Sequence, residues 1–337
     1  MMAPNQQLNL PGSGEQRPAP FDTLAARVRG WAERGVFVGT SSWKYEGWFG
    51  QVYSQERYVT RGRFSKPRFE RECLAEYAET FPTVCGDFAF YSFYSTQFWE
   101  RLFSQVPATF QFGFKAPEMI TAPRFADQER YGAKAGQPNE HFLDAKLLKS
   151  DFLDRLTPFH RQVGYVAFEF PQFHRATPAT NADFLAKLDG FLGKLPDTFR
   201  YGVEVRTESL LERDYFACLR HHRVAHVFNS WTRMPAIGEQ LKFADAFTAD
   251  FTVVRALLRP GRAYEEAVRM FQPYTGVRDP YPEGVRDVAG AVRAAIERSP
   301  KAKAFVAVNN RFVGNAPVAI SEVLDELEQA GKTPPRT

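Results

Sequence analysis

The sequence predicts a single-domain α/β fold, a (β/α)8 TIM barrel with long loops after its first, third and seventh strands. Three observations carry this reading. Short β-favouring runs alternate eight times with helix-like segments. Three of the runs are apolar on one face only: Phe110, Phe112 and Phe114 oppose Gln111, Gly113 and Lys115; Val166, Phe168 and Phe170 oppose Ala167 and Glu169; Tyr201, Val203 and Val205 oppose Gly202, Glu204 and Arg206. Side chains on a strand alternate faces, so each run has a greasy strip and a face ending in charge. That suits a parallel barrel covered by helices, with functional groups at the carboxyl ends of its strands. The length, 337 residues, is ample for one such barrel.

In chain order, residues 1–20 are rich in Gln, Pro and Gly and predict a disordered tail. Residues 21–35 predict a short helix, capped by Asp22, with Leu24, Val28 and Trp31 on one face. The barrel spans 36–332. Its strands are expected at Val36–Thr40, Val84–Tyr91, Phe110–Lys115, Tyr165–Phe170, Arg200–Arg206, Val224–Trp231, Phe251–Leu258 and Lys303–Asn310. Helical spacing follows each: Phe69–Thr80, Gln97–Val106, Ala145–Arg161, Asn181–Leu195, Arg213–His222, a looser Ile237–Phe247, Val288–Arg298 and Val318–Ala330. The rhythm alone also fits a doubly wound open sheet. No GxGxxG or GxxxxGK motif follows a strand, which removes the usual nucleotide-binding forms of that fold.

Composition narrows the class. Apolar residues make up 44% and charged residues 24%, and the net charge of +4 permits an anionic partner without requiring one. Cys73, Cys85 and Cys218 have no metal-ligand spacing and fit a reduced, cytoplasmic protein. No signal or transit peptide is expected, and no apolar run reaches the ~20 residues that span a bilayer. GxSxG and HExxH are absent, and His226 within the sixth strand reads as a packed histidine.

Four stretches resemble the domain of unknown function 72 (YecE-like) family of TIM barrels. These are Gly39-Thr40-Ser41-Ser42-Trp43-Lys44-Tyr45-Glu46-Gly47-Trp48, Phe112-Gly113-Phe114-Lys115-Ala116-Pro117 with Ile120-Thr121, Phe199 to Arg206, and Val308-Asn309-Asn310 with Ala316-Pro317. Where such proteins usually have a VEINSTFY-like second strand, this chain reads Val84-Cys85-Gly86-Asp87-Phe88-Ala89-Phe90-Tyr91-Ser92-Phe93-Tyr94. Asn315 stands in place of the common late histidine, which marks a divergent subgroup. The resemblance implies the barrel and no settled activity.

The candidate site is the barrel mouth. Glu204 and Arg206 share one strand face and form a pair suited to orienting a substrate. Glu169, among Ala167, Phe168 and Phe170, is the candidate acid/base, on the expectation that apolar neighbours raise its pKa; an ion pair with Lys115 is the bland alternative. Lys115 is placed to clamp an anion or an oxyanion. Trp43, Tyr45, Trp48, Tyr91 and Tyr94 offer rings for stacking or simply pack the loops. Arg255, Arg259 and Arg262 mark a phosphate seat after strand seven, and Asn229, Asn309 and Asn310 complete the substrate-binding set. No cofactor is predicted; a divalent metal would find only Glu169 and Glu204 well placed. The leading expectation is an enzyme acting on an anionic, hydroxyl-bearing small molecule, a sugar phosphate or a nucleotide. The alternative is a non-catalytic nucleic-acid binder using basic loops and the aromatic cluster.

Overall fold

A computed structural model describes residues 19–173 and 177–330; most of the expected tail, residues 1–18, lies outside the described residues. Eight parallel strands close into a barrel: β1 Val36–Thr40, β2 Thr83–Gly86, β3 Gln111–Lys115, β4 Val163–Phe170, β5 Tyr201–Val205, β6 Ala225–Ser230, β7 Phe251–Ala256 and β8 Lys303–Val308. Each strand pairs with its neighbour in sequence, and β1 closes on β8 over the register Val36–Ala304 to Thr40–Val308. The outer helices are α1 Ala19–Glu33, α2 Lys66–Thr80, α3 Thr96–Phe103, α4 Pro178–Leu192, α5 Arg213–His221, α6 Tyr264–Phe271, α7 Pro282–Arg298 and α8 Ala316–Ala330. No helix among the described residues is long and apolar enough to cross a membrane.

The alternation of the strands divides the core in two. Phe112, Phe168, Val203 and Val205 face outward into the helix layer, Phe112 lying 5.0 Å from the ring of Phe103 and Phe168 5.1 Å from Phe191. A smaller cluster fills the barrel: Cys85, Tyr165, Ala167, Ala225, Val227, Phe251, Val253, Phe305 and Ala307. Two glycines make room for it. A Cβ on Gly113 would fall within the Tyr165 ring, and one on Gly202 would stand 2.8 Å from Val227 Cγ2. A bulge in β4, where Phe112 pairs Val163 but Gly113 pairs Tyr165, delivers that tyrosine inward.

Four expectations need correction. The second strand ends at Gly86, and Asp87–Phe90 is a 3-10 turn, because Phe88 and Phe90 mimic strand alternation while packing around a turn. The helix expected over Ala145–Arg161 is broken into short α, π and 3-10 pieces, with Pro158 limiting its end. The loop after β7 carries α6 as a helix of its own, and α7 begins at Pro282, earlier than Val288. The first helix takes in Ala19 and Pro20, which the sequence assigns to the tail.

The interior packing gives a direct test. Gly113→Ala forces a methyl into Tyr165 and should destabilise the fold by about 1–3 kcal/mol, read as a lower urea midpoint. Gly113→Ala combined with Tyr165→Phe should leave most of this loss in place, because the ring carbons as well as the hydroxyl meet the added methyl.

Candidate functional site

At the carboxyl ends of β4 and β5 two glutamates stand in register, Glu169 opposite Glu204. Like charges across a ladder repel, and here cations are inserted between and around them. Arg206, directly after β5, gives Nε to Glu204 Oε1 at 2.7 Å and Nη2 to Glu169 Oε2 at 2.8 Å. Arg255 on β7 gives Nη1 to Glu169 Oε2 at 2.8 Å and to Glu204 Oε2. Lys115, ending β3, brings Nζ to 3.1 Å from the same Glu169 oxygen. Arg255 Nη2 reaches Asp87 Oδ1 at 3.2 Å. Three cations thus meet three carboxylates in one buried network, with Glu204 wholly enclosed and Asp87 the most open at 29%. Lys115 and Arg206 are each backed by a ring, their charged groups 3.7 Å from the centroids of Phe90 and Trp231.

This geometry sets the protonation of Glu169. Burial alone would raise its pKa, as its apolar sequence neighbours lead one to expect. Arg206, Lys115 and Arg255 outweigh burial and hold it well below the usual carboxylate range. Glu169 is therefore an ionised acceptor near neutrality and has no proton to give, which corrects the expected pKa. Its Oε2 takes all three cations, and among the described residues its Oε1 has no hydrogen-bond partner. The mouth carboxylates do not form a metal-spaced cluster among the described residues. Cys85, beneath them, is pushed up to about 11 by burial and has no nucleophile's setting.

The other candidates divide sharply. Trp48 is fully buried and donates Nε1 to Asn310 Oδ1 at 3.2 Å, so it offers no ring face to a ligand. Asn310 also caps α8 by accepting from Ala316 N, and Asn309 accepts from Arg311 N. Asn229, enclosed beneath the network, donates Nδ2 to the carbonyls of Val205 and Val227. Arg255 does not belong with Arg259 and Arg262: it points into the network, whereas those two share Asp279 in the loop. The three arginines therefore do not converge on one seat: Asp279 is shared between Arg259 and Arg262, and Arg255 lies apart from them. Trp43 and Tyr94 line a cavity of about 420 Å³ beside the ends of β1 and β2, together with Lys44, Asp87, Phe88 and Arg101. Tyr91 is exposed and lines another cavity, of about 340 Å³, with Phe90, Glu118, Arg130 and Tyr131. Burial pushes the Tyr45 hydroxyl up to about 12 against the pull of Arg311, with Asp87 adding to the rise.

Three groups escape the sequence reading. Asp87 does carry a signal, since the inward parity of Cys85 continues to it. Trp231 has none, because only the folded loop brings it under Arg206. Arg311 lies in the 3-10 turn after β8, its guanidinium 4.6 Å from the Tyr264 ring; its buried Nε lacks a hydrogen-bond partner and it makes no ion pair among the described residues. The Tyr264 ring lies in turn 6.5 Å from Trp231, so Arg311 and Arg206 stand at the two ends of one aromatic wall.

The network can be probed by charge and by pH. Glu204→Gln leaves Arg206 and Arg255 undercompensated and should cost about 3–5 kcal/mol. Glu204→Gln with Arg206→Met restores charge balance and should regain much of that loss in urea unfolding. The depressed pKa of Glu169 fixes a sign: its stabilisation is full above the unfolded value of roughly 4.3 and is lost as pH falls through the lower folded value. Urea midpoints should therefore decline below about pH 4, and Glu169→Gln should flatten that decline. An equally steep acid decline in Glu169→Gln would contradict the assignment.

Comparison with known proteins places this architecture. No curated protein matches the chain. Among solved structures it is similar to a DUF72 family protein from Enterococcus faecalis, at 15% identity and TM-score 0.58 over 87% of this chain and 95% of that one. It is also similar to a DUF72 family protein from Thermotoga maritima, at 18% identity and TM-score 0.54 over 88% and 99%. These likenesses concern the fold. The family model described as protein of unknown function DUF72 matches residues 37–337, nearly the whole barrel, and the chain belongs to that family.

Proposed function

We propose that this protein is an enzyme acting on an anionic, hydroxyl-bearing small molecule, of the sugar-phosphate or nucleotide class, at the C-terminal mouth of the barrel. The observation that carries the reading is Glu169: an ionised carboxylate at the mouth whose Oε1 has no hydrogen-bond partner among the described residues. A fixed carboxylate edge beside aromatic rings suits a substrate hydroxyl, because a largely buried acceptor gains more from a donor than a fully solvated one does. Glu169 would bind and orient, and proton donation falls to another group. Lys115 and Arg206, held in place by Glu169 and their backing rings, would stabilise negative charge developing on the substrate. Arg311, which makes no ion pair among the described residues, is the better partner for the substrate's own anion than Arg259 or Arg262.

The nucleic-acid alternative draws less support. Arg57, Lys66, Arg68, Arg130, Arg259 and Arg262 all have carboxylate partners, so the basic loops present fewer free cations than their sequence suggests. A strand-tracking surface needs many such cations, and its affinity falls steeply with salt.

The test is a thermal-shift panel of glucose 6-phosphate, ribose 5-phosphate and AMP against glucose, ribose and adenosine. A phosphorylated member should stabilise the protein, by about 2.7 kcal/mol at a hundredfold excess over Kd. Arg311→Met should abolish that shift and Arg259→Met should keep it. A panel without any shift, or a shift surviving in Arg311→Met, refutes the assignment; steeply salt-dependent binding of a single-stranded oligonucleotide would favour the alternative.

A further inference from the structure

On the outer wall, far in sequence from the mouth residues of β3 and β7, helices α4 and α5 bring together three side chains of a different kind. Cys218 and His222 are four residues apart, the first on α5 and the second at its C-terminal cap, so both project from one face. Asp189 on α4 meets them from across the helix pair. One ligand atom from each, a carboxylate oxygen, Cys218 Sγ and a His222 ring nitrogen, lie within 4.8 Å of one another. His222 Nε2 and Asp189 Oδ1 are already 2.8 Å apart. The imidazole ring rests against Gly193, where a Cβ would approach Cε1 to 3.3 Å.

The chemistry of this set is selective. A thiolate, an imidazole and a carboxylate are the donors that zinc takes, in tetrahedral sites with the last position left to water. Calcium and magnesium require several oxygens and would find one carboxylate here. Asp189 is mostly exposed while Cys218 and His222 are partly covered, so an ion can enter from solvent and remain held on one side by protein.

We propose that Asp189, Cys218 and His222 form a binding site for a zinc-class divalent ion that clamps α4 to α5. Binding replaces protons by metal. Cys218 Sγ releases its proton to solvent and forms the metal–sulfur bond. The ion takes the place of the hydrogen between His222 Nε2 and Asp189 Oδ1; that proton leaves to solvent and Nδ1 takes one up, so the ring binds the metal as its Nδ1–H tautomer. Nothing is oxidised or reduced. The site is independent of the mouth and of the reading given to it.

The protein suits a thiol-protection test, because Cys73 and Cys85 are buried and Cys218 is the half-exposed thiol among the three cysteines. Alkylation of Cys218 in the full chain by iodoacetamide should slow by about tenfold or more with one equivalent of Zn²⁺, since a coordinated thiolate is no longer a free nucleophile. A chelator should restore the rate, and Mg²⁺ should not change it. His222→Gln and Asp189→Asn keep the thiol and should each lose most of the protection. Co²⁺ gives an independent signature: a sulfur-to-cobalt charge-transfer band in the wild type that is missing in Cys218→Ser. Failure of Zn²⁺ to protect the wild type, equal protection in His222→Gln, or a cobalt band surviving in Cys218→Ser each overturns the proposal.

Discussion

Two glutamates forced side by side by strand register are the constraint on which the mouth of this barrel depends. Glu169 and Glu204 cannot separate, because the ladder between β4 and β5 fixes their backbones. Their charges therefore have to be met by cations from β3, from β7 and from the end of β5 itself. Arg255 crosses the barrel to touch both, Arg206 spans them from the end of β5, and Lys115 comes from β3. Both arginines are shared between carboxylates, so the removal of either disturbs several contacts at once. The arrangement resembles an assembled lattice more than a set of separate salt bridges. Its value is positional: buried ionic groups cost desolvation, and apolar replacements of equal shape would often be as stable.

Much of this is legible in the sequence. Face alternation gives the inward direction of Lys115, Glu169, Glu204 and Arg206, since a period of two leaves no freedom once Phe112, Val166 and Val203 are assigned to the helix layer. The barrel itself follows from the same alternation and from the spacing of the helices. What stays hidden depends on tertiary placement. The pKa of Glu169 runs opposite to its sequence context, because its chain neighbours are apolar while its spatial neighbours are cations on three other segments. Arg259 and Arg262 read as free until the loop folds Asp279 against them. Trp48 reads as a platform because exposure has no sequence signature in an aromatic-rich loop.

The stretch after β2 ties the charged network to the aromatic loops. Asp87 supplies a carboxylate to Arg255 from the first residue of the turn. The same turn sends Phe90 beneath Lys115 and sets Phe88 5.8 Å from Trp43. One short segment thereby joins the charged network to both aromatic cavities.

The seam between β1 and β8 has a bearing on how the chain is made. Trp48, in the loop behind the first strand, is fastened to Asn310 behind the last, and Arg27 of α1 pairs with Asp325 and Glu328 of α8. A ribosome releases the first strand long before its eventual neighbour exists. Until β7 and β8 emerge, the nascent sheet is an open, curling ribbon with Glu169 and Glu204 facing water and lacking Arg255. Full solvation makes that exposure harmless for the charges, whereas bare apolar edges wait for partners of high sequence separation. Closure thus arrives late and all at once, and the guanidinium that unites the two carboxylates is delivered by the penultimate strand.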